Sequence, residues 1–164
     1  MMPSNYKNIK SYAKINIGLK ILDLLPDNYH SVCTIMQEIN FYDLITIKKI
    51  EKPDIKIICK GPIKVPENDS NLCVKAAQLI FNNYQCSHGI NIILHKNIPV
   101  GAGLGGGSSN AARVLCILNK LFNLKISEFD LHQLAFKLGC DVPFFINGGT
   151  QLSEGKGEKL TPLK

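Results

Sequence analysis

Fourteen residues, Pro99 to Ala112, constrain this chain more than any others, because Gly101, Gly103, Gly105, Gly106 and Gly107 crowd into them just ahead of a helical pattern. Glycine admits positive φ and leaves no Cβ between successive backbone N–H groups and a ligand. Ser108 or Ser109 is placed to cap the helix that follows, in which Ala111, Ala112, Leu115, Leu118 and Phe122 recur near helical spacing. The loop therefore brings unpaired amides and the positive end of a helix dipole to one point. A phosphate fits there. A tight structural turn with no ligand would use the same residues.

Two common phosphate-binding classes are excluded by what surrounds the loop. Gly101, Gly103 and Gly106 satisfy G-x-G-x-x-G, but a dinucleotide fold needs a second strand after the helix, closing on an acidic residue. Here Ser127 to Leu138 sets Leu131, Leu134, Ala135 and Leu138 on one helical face, so Glu128 and Asp130 belong to a helix start. A Walker A loop needs Lys before its Ser, and Gly107 occupies that place.

With 164 residues the chain can bury one good core, so a single domain is expected. Its 19 basic and 13 acidic residues give +6 at neutral pH, which suits phosphorylated metabolites or nucleic acid. Only Arg113 is an arginine, and the lysines are scattered without forming a basic block. The cysteines at 33, 59, 73, 86, 116 and 140 form no C-x-x-C pair, which argues against zinc and for reduced thiols in a cytoplasmic setting. Lys7, Lys10, Lys14 and Lys20 interrupt the amino-terminal apolar residues, so neither a signal peptide nor a membrane span is expected.

Residues 11 to 25 alternate as a strand, with Ala13, Ile15, Ile17 and Leu19 against Lys14, Asn16, Gly18 and Lys20. After a turn at Pro26 to Asn28, a stretch from Tyr29 through Ile39 and a separate strand from Phe41 to Ile50 are expected. Ile55 to Cys59 makes a short fourth strand, ended at Gly61-Pro62. Ser70 is placed to cap a helix over Asn71 to Tyr84, and Ile90 to His95 reads as a strand leading into the glycines. Gly139 is placed to close the helix that starts at Ser127, and Phe144 to Ile146 and Thr150 to Leu152 look like short strands. Strands ahead of helices, without regular alternation, point to an α+β fold of sheet and helices.

Two charged residues invite a chemical reading. Asp141 stands in the apolar run Gly139 to Ile146, where a buried carboxylate needs donors, or else caps a turn before Pro143. Lys14 falls on the polar side of its strand, where a solvated lysine is the ordinary case. Brought together, they could take a proton from a hydroxyl and favour its alkoxide. Tyr29 and His30 could hold a planar group by stacking and hydrogen bonds, although packing explains them as well.

Tyr12-Ala-Lys-Ile-Asn-Ile-Gly-Leu19, Asp27-Asn-Tyr-His30, Asp69-Ser-Asn-Leu72, Pro99 to Ala112 and Gly139-Cys-Asp-Val-Pro-Phe144, in this order, resemble the GHMP kinase superfamily across nearly the whole chain. The Tyr-His pair and the three glycines before Ser-Ser-Asn-Ala are similar to the branch whose acceptor is 4-diphosphocytidyl-2-C-methyl-D-erythritol, in the non-mevalonate route to isoprenoids. The resemblance implies a ribosomal-protein-S5-domain-2-like α+β fold and ATP with Mg2+ as cofactor. It places the ATP phosphates on Pro99, Val100, Gly101, Ala102, Gly103, Leu104, Gly105, Gly106, Gly107, Ser108 and Ser109. It implies that Asp141 is the base and Lys14 its support, that Tyr29 and His30 hold the cytosine ring with Asn16 near the reacting end, and that Asn71 and Lys96 approach the nucleotide. It further implies that residues 1–164 are an amino-terminal ATP-binding domain whose ferredoxin-like carboxy-terminal partner domain is absent from this chain.

A homoserine or mevalonate type of GHMP kinase is an alternative, against which Tyr29 and His30 argue. An S5-like nucleic-acid-binding module is another; the scarcity of Arg and of aromatic platforms argues against it. No nucleic-acid or membrane partner is expected.

Overall fold

The computed structural model of the chain describes residues 5–24, 30–155, 157 and 159–163. Its elements run β1 (Asn5–Leu24), β2 (His30–Ile50), β3 (Ile55–Lys60), α1 (Leu72–Asn83), β4 (Gly89–His95), α2 (Gly106–Leu121), α3 (Glu128–Leu138), α4 (Phe144–Asn147), β5 (Thr150–Gly155) and β6 (Lys159–Pro162). They form one mixed six-stranded sheet with helices packed on it, the α+β arrangement expected.

β2 is the spine of that sheet. The two segments expected on either side of Asn40 are one strand of 21 residues, because no Gly or Pro interrupts it and β1 pairs antiparallel with it nearly end to end, from Asn5 opposite Lys48 to Leu24 opposite His30. The step in register between Tyr12 and Ala13 is absorbed as a bulge, which bends the ribbon without ending it. The other edge of β2 is shared: β4 takes Leu44–Ile50, and β5 takes Val32–Gln37. β3 lies parallel to β4, with α1 as the crossover between them.

The core forms where the sheet meets α1 and α2. Ile45, Ile47, Ile90, Ile92 and Leu94 from the strands meet Ala76, Ala77 and Ile80 of α1 and Ala111, Leu115 and Leu118 of α2, all fully buried or nearly so. At about 1.5–3 kcal/mol for each large aliphatic side chain, this contact fixes α2, and with it the loop at its start.

Several local expectations are corrected. α1 is capped by Asn71, whose side chain accepts from the Cys73 N–H; Ser70 turns back to Asn68. Phe144 to Ile146 belongs to a single helical turn, α4, because Pro143 sits in helical φ/ψ and both Phe144 and Phe145 turn inward. At α3 the Ser127 cap and the Gly139 end stand where expected. The largest inversion concerns β1. Lys14 is 5% exposed and faces the helices, whereas Ile15, Ile17, Leu19 and Ile21 on that strand are 39–64% exposed. Among the described residues no helix is long and apolar enough to cross a membrane.

Candidate active site

The glycine loop joins β4 to α2, and its last turn is set by Gly105, the N-cap, at φ 66° and ψ 18°. A Cβ there would stand 2.8 Å from the Phe145 ring and 3.2 Å from Lys14 Cγ. Left-handed backbone and the close approach of α4 both require glycine at this position. The expected serine cap is absent: Ser109 is buried and its hydroxyl meets that of Ser11 at 2.7 Å, while Ser108 faces the loop's cavity. The helix N-terminus thus keeps its amides for another acceptor.

That cavity, of about 360 Å3, is walled by residues 99–108 on one side and by Val65, Pro66, Leu72 and Leu94 on the other. Asn71 and Lys96 also line it. An apolar slot beside a row of amides suits a planar base with a phosphate tail.

Lys14 and Asp141 are not among the residues lining the cavity, but Lys14 touches the same loop. The backbone N–H of Lys14 donates to the Leu104 carbonyl at 2.9 Å. Its ammonium lies 3.4 Å from Asp141 Oδ2 and donates to Asn16 Oδ1 at 2.5 Å. Asn16 is itself anchored, its amide donating to Thr34 Oγ1 at 3.0 Å. Asp141, just past the end of α3, is more open than the lysine, with 36% of its side chain exposed against 7%. A carboxylate open on one side and held by a buried ammonium on the other can receive a proton from a hydroxyl. Tyr29 lies outside the described residues, as does the side chain of His30, whose backbone opens β2.

A second ion pair, between Lys96 and Asp43, lies beneath the loop. The sequence signal for Asp43 is its parity: it is in phase with Ile45 and Ile47 on the buried side of β2, where a carboxylate needs a reason to be. Glu38, opposite Lys14 in the β1–β2 register, has its carboxyl pushed above its ordinary value by burial, against the opposing pull of Arg113 and of a backbone hydrogen bond from Gly149.

The family model for the GHMP kinases N terminal domain matches residues 71–149, which contain the loop, α2, α3 and Asp141. The chain is 50% identical over 157 residues, 96% of its length, to a 4-diphosphocytidyl-2-C-methyl-D-erythritol kinase of Clostridium botulinum. It covers 55% of that protein, so it spans about half the length of the curated relatives it matches. A crystal structure of 4-(cytidine 5'-diphospho)-2C-methyl-D-erythritol kinase superposes with a TM-score of 0.83 at 35% identity, over 95% of this chain and 55% of that one. A homoserine kinase from Cytophaga hutchinsonii shares the fold at TM-score 0.67 and 19% identity, covering 93% of this chain and 49% of its own. With the loop, the helix it starts and the carboxylate that follows all inside the matched region, residues 71–149 carry a GHMP kinase N-terminal domain.

Proposed function

We propose that this chain is the ATP-binding part of a kinase that phosphorylates the 2-hydroxyl of 4-diphosphocytidyl-2-C-methyl-D-erythritol, on the non-mevalonate route to isopentenyl diphosphate in the cytoplasm. The observation that carries the reading is the Lys14–Asp141 pair, 3.4 Å apart and joined to the glycine loop through Leu104. It sets a proton acceptor beside the place where a terminal phosphate would end.

In this reading the amides of residues 101–107 and the start of α2 bind the phosphates, and the apolar wall at Val65, Pro66 and Leu72 receives the adenine. Asp141 accepts the proton of the attacking hydroxyl, and the Lys14 ammonium steadies both the carboxylate and the oxygen as charge develops on it. Asn16 fixes the rotamer of Lys14. Tyr29 and His30 hold the cytosine ring. The donor set suits a magnesium ion carried by the phosphates, with Asp141 the carboxylate at that end of the site; once bound, such an ion would offset phosphate charge.

The test is a phosphorylation assay of residues 1–164 beside the full-length Clostridium botulinum relative, offering 4-diphosphocytidyl-2-C-methyl-D-erythritol, homoserine and mevalonate as acceptors. Phosphate transfer to the cytidylyl acceptor, with ATP binding in both proteins, is expected; far lower turnover is expected for the 164-residue chain, because in-line transfer needs both reactants held closely. Preference for homoserine or mevalonate would replace the proposed acceptor, and a failure to bind ATP would overturn the reading of the loop. Equal turnover in the two proteins would show that residues 1–164 hold a complete site. Tyr29→Ala should weaken the cytidylyl acceptor by about 1–3 kcal/mol, on the scale of base stacking on an aromatic ring, and leave ATP affinity alone.

A further inference from the structure

We propose that Asp43, which touches neither cavity nor acceptor, is the positioning residue that holds the glycine loop in its anion-accepting shape. The proposal rests on the reading of that loop as the nucleotide site.

Asp43 is fully buried on β2, and its carboxylate gathers four donors. Oδ1 accepts the backbone N–H groups of Asn97 at 2.7 Å and Ile98 at 2.8 Å, the two residues that lead from β4 into the loop. Oδ2 accepts from the Lys96 ammonium at 2.5 Å and from the Asn110 amide at 2.9 Å. Lys96 and Asn110 stand at opposite ends of the loop, one just after β4 and the other in the first turns of α2. One carboxylate therefore ties entry and exit together.

The same cluster reaches the strand that carries Lys14. The second N–H of the Asn110 amide donates to Ser11 Oγ at 3.0 Å, and Ser11 lies opposite Asp43 in the β1–β2 register. Loop, helix and the Lys14 strand are thus fixed to one point, each contact buried or partly buried and charge-assisted or supported by one that is. Gly106 completes the fit: a Cβ on it would fall 2.8 Å from Lys96 Nζ, so the ammonium lies directly against the first residue of α2. Because Asp43 already neutralises Lys96, the pair is a rigid dipole under the loop.

The consequence is preorganisation. The loop is rich in glycine, and without a tether its left-handed residues would sample many shapes and raise the entropy lost on binding. Amide hydrogen exchange of the unliganded protein tests this without any nucleotide. In Asp43→Asn, exchange across residues 96–110 should rise at least tenfold, while β2 beyond Ile45 and helix α3 stay within twofold of the parent. ADP affinity, measured by titration calorimetry, should fall about tenfold. If the single change leaves the Lys96 ammonium stranded and the protein unfolded, Asp43→Asn combined with Lys96→Met removes the stranded charge, and the same exchange pattern is expected. Asn110→Ala should give a smaller rise in the same segment. Exchange that is unchanged, or that rises evenly over the whole domain, overturns the proposal. A parent protein that binds no ADP would instead overturn the nucleotide reading of the site, and the exchange pattern would still decide the role of Asp43.

Discussion

Lys14 Nζ lies 3.4 Å from Asp141 Oδ2, bringing the first strand of the chain against the turn that follows its third helix. Lys14 is buried, whereas Asp141 keeps about a third of its side chain open. Asp141→Asn in the full-length relative should lower turnover about a hundredfold or more and leave ATP affinity nearly intact, the scale of a positioned general base. Steady-state kinetics beside an ADP titration would show it. Turnover close to that of the parent would return Asp141 to the part of a turn residue.

Glycines within the loop are not equivalent. Gly105→Ala combines φ 66° with a Cβ 2.8 Å from Phe145, so a loss of about 2–4 kcal/mol in unfolding free energy is expected. Gly101→Ala and Gly103→Ala keep the backbone penalty at φ 73°, but nothing stands within 4 Å of either Cβ, and about 1 kcal/mol is expected. Urea denaturation of the three variants would rank them, and equal losses would contradict the contact with Phe145.

Glu38 gives a pH dependence whose sign follows from burial. Its carboxyl binds a proton more tightly folded than unfolded, from an ordinary value of 4.5 upward, so its ionisation costs stability. The cost is absent below the unfolded value and grows as pH rises through the folded one, opposite in sign to a salt-bridged carboxylate. Glu38→Gln should therefore raise the melting temperature relative to the parent at pH 7 and lose that advantage near pH 4. Melting curves at the two pH values settle the matter; an advantage that grows toward acid would refute it.

Cys73, fully buried in α1, has its thiol pushed up to about 12 by burial, so almost no thiolate exists near neutrality. Iodoacetamide at pH 8 should leave Cys73 unmodified in the native protein and alkylate it in urea, as read by peptide mass spectrometry. Labelling at equal rates in both conditions would place Cys73 outside the core.

What could be read from the residues was local. Glycines before a periodic helix, and Ser127 and Gly139 at the ends of α3, act through backbone chemistry within a few residues, and the structure keeps them where the pattern put them. What could not be read depends on partners far away. Ile15 and Ile17 look like a buried face, yet Lys14 is the residue turned inward, where its ammonium meets Asp141 and Asn16. Ser109 looks like a cap, yet Ser11 claims its hydroxyl. Phe144 and Phe145 have strand propensity, but both rings are buried together from a helical turn, 5.0 Å apart and edge to face. Asp43 was visible only as a charged residue in phase with isoleucines, a pattern that signals a buried network without naming its members.

The sharing of one edge of β2 between β4 and β5 bears on how the chain emerges from a ribosome. Residues Val32–Gln37 wait for Thr150–Gly155 to complete that side of the sheet, whereas Leu44–Ile50 need only Gly89–His95. During synthesis the half of the sheet beneath the glycine loop can close early, while the other half trails an open edge until translation has passed residue 155. A ribosome paused within that interval would expose a strand edge beside Ile15, Ile17 and Leu19. Chaperone capture should therefore concentrate on nascent chains between those two lengths.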